Sequence, residues 1–197
     1  MHGHETHGAR HTHGLRAAFA LTSVFLLIEA AVGFWTGSLS LLADAAHMLV
    51  DAGGLLLSLF AIWFAERPAP PEKTYGYYRV EILAALVNGV VLCLLALAIL
   101  VKAYERLGHP QPVPGGPVLA VAVVGLGVNL LSMRLLHAGA AVSLNVRSAY
   151  LEVLGDAASS SAVIVAGAVI LLTGWSIADP IASAAIALFI LPRTWSL

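Results

Sequence analysis

Residues 41–65 read LLADAAHMLVDAGGLLLSLFAIWFA, and residues 149–172 read AYLEVLGDAASSSAVIVAGAVILL. Each stretch is apolar enough to cross a membrane, yet each carries two ionisable side chains four residues apart. The pairs are His47 with Asp51 and Glu152 with Asp156. Residues four apart lie on one face of an α-helix, one turn above the other. Because a charged side chain at membrane depth costs about 3 kcal/mol on insertion, such pairs are typical of a functional site.

The composition of the whole chain indicates a membrane protein. Of its 197 residues, 59% are hydrophobic and 11% are charged, whereas soluble domains contain about 25% charged residues. We therefore expect one integral membrane domain whose main partner is the lipid bilayer. The net charge of −1 argues against a nucleic-acid partner. Because Cys93 is the single cysteine, an internal disulfide and a thiolate metal cluster are both excluded.

Apolar runs near the ~20 residues that a membrane-spanning helix needs recur along the chain. The breaks between them are short and rich in glycine and proline, which is typical of turns. This pattern predicts an all-α integral membrane protein that folds as a bundle of six transmembrane helices. The predicted spans are Leu15–Thr36, Leu39–Phe64, Val80–Val101, Pro117–Leu136, Ser148–Leu172 and Ile177–Leu191.

Lysine and arginine are distributed unevenly between the two ends of the predicted helices. Only Lys102 and Arg106 fall on the side opposite to the N-terminus. The positive-inside rule therefore predicts that both termini are cytoplasmic. From the predicted spans and this orientation, we expect three parts of the chain. Residues 1–14 are a His-rich cytoplasmic tail, residues 15–192 are the six-helix transmembrane transport domain, and residues 193–197 are a short C-terminal stub.

The two polar pairs predict a metal site between helices 2 and 5. These helices run in opposite directions, an arrangement that transporters commonly use around a site near the midplane. If the polar faces meet, His47, Asp51, Glu152 and Asp156 present one imidazole and three carboxylates to a divalent ion, and zinc takes about four such ligands. Ligands must lose their protons to bind metal, so metal and protons compete for the site. For Glu152, an ion pair with Arg147 is the alternative to metal binding.

Further polar residues are secondary candidates. Asp44, seven residues before Asp51, shares roughly the same helix face and is a candidate auxiliary or exit-side ligand. Glu29 is isolated in the first helix, and Asn129 is expected to form a hydrogen bond between helices. Asp179, followed by a proline, resembles the N-cap of helix 6.

The N-terminal histidines form a separate candidate site. They are spaced irregularly in an H-x-H type tract, which is typical of weak metal binding. We expect this tract to collect metal ions in the cytoplasm without being needed for turnover. Its members are His2, His4, His7, His11 and His13.

Four segments of the chain resemble the cation diffusion facilitator family of metal–proton antiporters. These segments are Gly37–Asp51, Tyr75–Glu81, Asn145–Asp156 and Asp179–Ile181. The resemblance extends over almost the whole chain and implies a six-helix transmembrane domain that is usually a homodimer. It also implies that His47, Asp51 and Asp156 occupy the positions that hold the transported ion.

The chain departs from the family pattern in two places. Zinc-preferring members usually carry histidine where this chain has Glu152, and an oxygen ligand makes a site harder, which suits manganese, iron or cobalt better. Family members also usually continue after helix 6 into a cytoplasmic metal-binding domain. We expect a short or truncated member without that domain, in which a homodimer depends on membrane helices.

The resulting hypothesis is a proton-coupled antiporter that exports a divalent metal ion from the cytoplasm. We expect zinc as the substrate, protons as the counter-ion, no cofactor, and a location in a bacterial inner membrane. Open alternatives are a transporter of harder ions or cadmium, and a non-transporting subunit of a heteromer. An intramembrane metallohydrolase is a further alternative, but the chain has no H-E-x-x-H motif, so we expect no enzyme.

Overall fold

The computed structural model describes residues 5–65, 78–141 and 144–195, with side chains at 16–53, 83, 86–137, 139–141 and 146–192. All regular secondary structure in these ranges is α-helical. The helices are α1 (Glu5–Thr36), α2 (Leu39–Ala65), α3 (Tyr78–Gly108), α4 (Gly115–Ala140), α5 (Leu144–Thr173) and α6 (Ala178–Trp195). The prediction of an all-α membrane protein with six helices is therefore confirmed.

Several of these helices are long and apolar enough to cross a bilayer. Among the described residues the qualifying segments are Arg16–Thr36, Leu86–Gly108, Gly115–His137 and Val146–Thr173, and Ala178–Pro192 is a shorter apolar helix. Large apolar side chains project outwards from the bundle, including Leu27, which is 70% exposed, and Leu172, which is 83% exposed. An outward apolar surface of this kind matches a lipid environment.

The helices extend beyond the apolar runs that predict them. α1 begins at Glu5 and not at Leu15, so most of the predicted N-terminal tail is helical. α3 likewise continues past Val101 to Gly108. The physical reason is that hydropathy marks only the lipid-facing part of a helix. The backbone hydrogen bonds of the helix continue into polar surroundings until a turn residue ends them.

Glycines end two of the helices at tight turns. Gly37 follows α1 with φ 68° and Gly174 follows α5 with φ 70°, a left-handed conformation that is typical just after a helix. The backbone N–H of Gly174 donates to the carbonyl of Ile170 at 2.8 Å. These turns reverse the chain within a few residues, so that α2 starts at Leu39 directly after α1.

Close helix packing depends on small residues, above all between α4 and α5, the most extensively packed pair. A Cβ atom placed on Gly115 of α4 would lie 2.6 Å from the backbone nitrogen of Leu171. A Cβ atom on Gly167 of α5 would lie 3.0 Å from the backbone nitrogen of Leu119. Glycine therefore lets the two backbones touch, as is common between membrane helices.

The remaining helices surround this pair. α1 packs on α4, while α2, α3 and α6 pack on one another. α2 also contacts α1 and α5, so it lies between the two groups of helices. The polar faces of α2 and α5 consequently meet inside the bundle.

Candidate metal site

Three of the predicted ligands gather where α2 meets α5. Nε2 of His47 lies 3.5 Å from Oδ2 of Asp51 and 4.0 Å from Oδ1 of Asp156. One ligand-capable atom from each of the three side chains lies within 4.8 Å of the others. His47 is 2% exposed and Asp156 is 5% exposed. The group is thus a cluster of one nitrogen and two carboxylate donors, in which His47 and Asp156 are buried and Asp51 is partly buried.

The local sequence explains how these side chains come together. His47 and Asp51 are four residues apart in α2, so both project from one helix face. In α5, the residues around Asp156 are small, and Gly155, Ala157 and Ser159 are all buried. Small side chains let α5 approach α2 closely enough for Asp156 to reach the imidazole.

Glu152, the fourth predicted ligand, does not belong to this cluster. It is half-buried and lies one turn before Asp156 in α5. As the four-residue spacing predicts, Glu152 is on the same face of α5 as Asp156. Its carboxylate, however, is not in the group of atoms from His47, Asp51 and Asp156 that lie within 4.8 Å of one another. The structure therefore brings together His47, Asp51 and Asp156 and places Glu152 outside this group.

A second group of buried polar side chains lies about one turn nearer to the start of α2. Asp44, 0% exposed, accepts hydrogen bonds from the hydroxyls of Ser159 and, at 3.5 Å, Ser160. The side-chain amide of Asn129 donates to Oγ of Ser160 at 3.2 Å. This bond joins α4 to α5 and confirms the predicted interhelical role of Asn129. Asp44 is thus buried beside the three-residue cluster without belonging to it.

The sequence suggested that Glu29 is isolated, but in the structure it has an acidic neighbour. It is fully buried in α1, and its carboxyl group is near enough to that of Asp44 in α2 to interact with it electrostatically. The predicted isolation is wrong because sequence spacing relates residues of the same helix, whereas the neighbour of Glu29 is on another helix. The sequence did contain one sign that Glu29 has a role, since an ionisable residue at membrane depth is usually functional.

Asp179 also differs from its prediction. α6 begins at Ala178, so Asp179 lies inside the first turn, and its carboxylate caps α2 and not its own helix. Oδ2 accepts a hydrogen bond from the backbone N–H of Leu39 at 2.7 Å, and Oδ1 accepts bonds from Oγ of Ser38 and of Ser40, each at 2.6 Å. The reason is that the first backbone N–H groups of α2 lack helical partners and attract an anion.

Arg106 completes this arrangement at the end of α3. Its Nη1 donates to the carbonyl oxygen of Gly37 at 2.6 Å and lies 3.5 Å from Oδ2 of Asp179. One guanidinium therefore joins the end of α1, the end of α3 and the start of α6. This contact secures the same end of α2 that Asp179 caps.

The N-terminal histidines lie largely beyond what the structure describes. His7, His11 and His13 are in the first part of α1, where only the backbone is described. His2 and His4 lie outside the described residues. Their role as a metal-collecting tract stays a prediction.

Comparison with known proteins agrees with this architecture. Residues 15–197 match the cation efflux transmembrane domain family. The chain therefore belongs to this family, the cation diffusion facilitators that the sequence motifs resemble. Members of the family are transporters and not enzymes, in agreement with the sequence-based prediction.

Individual relatives are similar over nearly the whole chain. The chain is 45% identical over 196 residues to the metal cation efflux system protein CzcD of Cupriavidus metallidurans, covering 100% of this chain and 62% of the relative. It is 46% identical over 181 residues to the zinc transporter ZitB of Escherichia coli, covering 91% and 58%.

A third relative is described as a cadmium, cobalt and zinc/H(+)-K(+) antiporter of Bacillus velezensis. It is 41% identical over 192 residues, with 96% of this chain and 61% of the relative covered. The chain thus spans about three fifths of the length of these relatives.

Proposed function

We propose that this chain carries out efflux of a divalent metal cation, with zinc as substrate and protons as counter-ion. The observation that carries the proposal is the convergence of His47, Asp51 and Asp156 within 4.8 Å, with His47 and Asp156 buried and Asp51 partly buried. The names of the relatives support it, since ZitB is a zinc transporter and the Bacillus velezensis protein is an antiporter of cadmium, cobalt and zinc.

The charge of the cluster fits a dication. A neutral imidazole and two carboxylates carry two negative charges, which one divalent ion neutralises. Buried charges of one sign are otherwise costly. Zinc accepts nitrogen and oxygen donors together and takes a fourth ligand. Glu152, one turn away on α5, is the protein side chain that we assign to that position once an ion is bound.

Proton coupling follows from the same ligands. Each carboxylate must be deprotonated to hold the ion, so metal binding releases protons and proton binding releases metal. Proton uptake by the emptied cluster would then reset the carrier. This competition provides antiport without requiring a separate proton pathway.

The cellular setting belongs to the same proposal. The asymmetry of lysine and arginine supports cytoplasmic termini, and the bacterial relatives support the inner membrane as the location. We also infer a homodimer in which membrane helices form the contact.

A competing substrate class is favoured by Glu152. If this carboxylate completes the site, the ligands become one nitrogen and three oxygen donors, a harder set than zinc-preferring relatives are expected to have. Manganese, iron or cobalt is then the alternative cargo, and cadmium is included because the name of one relative contains it.

The decisive experiment is transport by the purified chain in lipid vesicles with a zinc-sensitive dye inside and an imposed pH gradient. Asp156→Asn should abolish zinc uptake, because it removes an anionic ligand while preserving shape. Ser161→Ala is the matched control, since Ser161 is exposed on α5 and donates only to its own helix at Ala157. Uptake by Asp156→Asn at the control rate would contradict the proposal.

A further inference from the structure

Glu29 is a buried acidic residue that the three-residue cluster does not use. It is 0% exposed, and neither oxygen of its carboxyl group has a hydrogen-bond partner among the described residues that donates to it. The carboxyl groups of Asp44 and Asp156 are both near enough to interact with it electrostatically. Glu29 therefore lies close to a second buried carboxylate in the interior of the bundle.

Two neighbouring buried carboxylates repel each other when both are ionised, unless a cation lies between them. Ionised carboxylates are acceptors only, so Glu29 and Asp44 cannot form a hydrogen bond with each other in that state. A buried polar atom without a partner is costly, and two adjacent buried anions are more so. A divalent cation would satisfy both groups and cancel their combined charge.

The surrounding side chains add further oxygen donors. The hydroxyls of Ser159 and Ser160 point at Asp44 and donate hydrogen bonds to it. A hydroxyl also has lone pairs, so each serine can turn an oxygen towards a cation. The group consists of oxygen atoms alone, which is the donor set that harder divalent cations prefer.

The fold brings three helices together at this point. Gly33, one turn after Glu29 in α1, lies against α2, and a Cβ atom there would be 3.1 Å from Cδ2 of Leu42. This approach of α1 to α2 brings Glu29 to Asp44, while α5 supplies the two serines. Asp44 lies nearer than His47 to the start of α2, where Asp179 and Arg106 are located.

We propose that Glu29, Asp44, Ser159 and Ser160 form a second, all-oxygen subsite for a divalent cation, beside the His47 cluster. The role of this subsite in transport depends on the proposed function, but its ability to bind a cation does not. An ion that leaves the His47 cluster towards the Arg106 end of the bundle passes this subsite. It is thus an exit-side station that holds harder cations such as Mn²⁺ better than the His47 cluster does.

The test uses Mn²⁺ binding by the purified full chain, followed by loss of the EPR signal of free Mn²⁺. In the double variant Asp51→Asn/Asp156→Asn, which disables the His47 cluster, one Mn²⁺ should still bind. Adding Glu29→Gln should weaken this binding on the order of tenfold or more, since loss of even an outer-shell partner of a metal ligand typically has an effect of that size. Adding Glu105→Gln instead, on an exposed residue paired with Lys102, should leave it unchanged.

The outcomes separate the two proposals. No Mn²⁺ binding by the double variant would overturn the subsite and indicate a shared proton in its place. Unchanged binding after Glu29→Gln would overturn it as well. Size-exclusion profiles identify variants that fail to fold, and Glu29→Asp, which keeps the charge, should then restore binding. Absence of zinc transport by the unmodified chain contradicts the proposed function alone, because Mn²⁺ binding is measured independently.

Discussion

Asp179 of α6 accepts a 2.6 Å hydrogen bond from the hydroxyl of Ser40 in α2, across 139 positions of sequence. Both residues are fully buried. Ser40 lies about two helical turns before His47. The start of the helix that carries His47 and Asp51 is therefore held by a carboxylate from the last helix of the bundle.

Replacing Asp179 by alanine should destabilise the protein. The change leaves buried donors of Ser38, Leu39 and Ser40 without their acceptor. We expect a loss of about 2 kcal/mol in the free energy of unfolding, the usual cost of unsatisfied buried groups. Thermal unfolding in detergent measures it. Glu105→Ala, at an exposed ion pair, should change stability by less than about 0.5 kcal/mol, and equal melting temperatures of both variants would contradict the capping role.

Two adjacent glycines at the start of α4 should respond differently to alanine. A Cβ atom on Gly115 would be 2.6 Å from the backbone of α5, whereas one on Gly116 would be no closer than 4.0 Å to a side-chain atom of Leu171. Gly115→Ala should therefore lower stability by about 1–3 kcal/mol through overpacking. Gly116→Ala should be neutral or slightly stabilising. The same unfolding assay compares them, and a harmless Gly115→Ala would refute the close contact between α4 and α5.

Glu152→His should shift metal preference towards zinc. An imidazole in place of a carboxylate softens the donor set and reduces its negative charge, which disfavours manganese. The measurement is the ratio of zinc to manganese uptake into vesicles by the two proteins. A rise on the order of tenfold is expected, because even an outer-shell change at a metal site typically alters affinity by that much. An identical ratio in both proteins would show that Glu152 takes no part in binding the ion.

Zinc binding should release protons from the purified protein. In weakly buffered solution near neutral pH, adding zinc should acidify the medium, because the metal displaces protons from its ligands. A chelator should reverse the change, and zinc affinity should fall as pH is lowered. Asp156→Asn should abolish the release while Ser161→Ala retains it. Zinc binding without any proton release in the unmodified chain would remove the proposed basis for antiport.

The local features of this protein were determined by its sequence. Hydropathy identified each of the six helices that the structure describes, because an apolar run must be hidden from water wherever it occurs. The four-residue spacing placed His47 with Asp51, since neighbours on one helix face are set by helix geometry alone. Helix ends were less accurate, as at Glu5, because hydropathy reports lipid contact and not backbone hydrogen bonding.

Contacts between helices were decided by the tertiary structure. Sequence spacing could not show that Glu29 faces Asp44, or that Asp179 caps α2, because these partners lie on different helices whose approach depends on packing at residues such as Gly33. The same holds for Asp156, which reaches His47 while Glu152, one turn away on the same helix, lies outside the cluster. Helical periodicity specifies a face, whereas the separation and rotation of two packed helices select which side chains on that face meet.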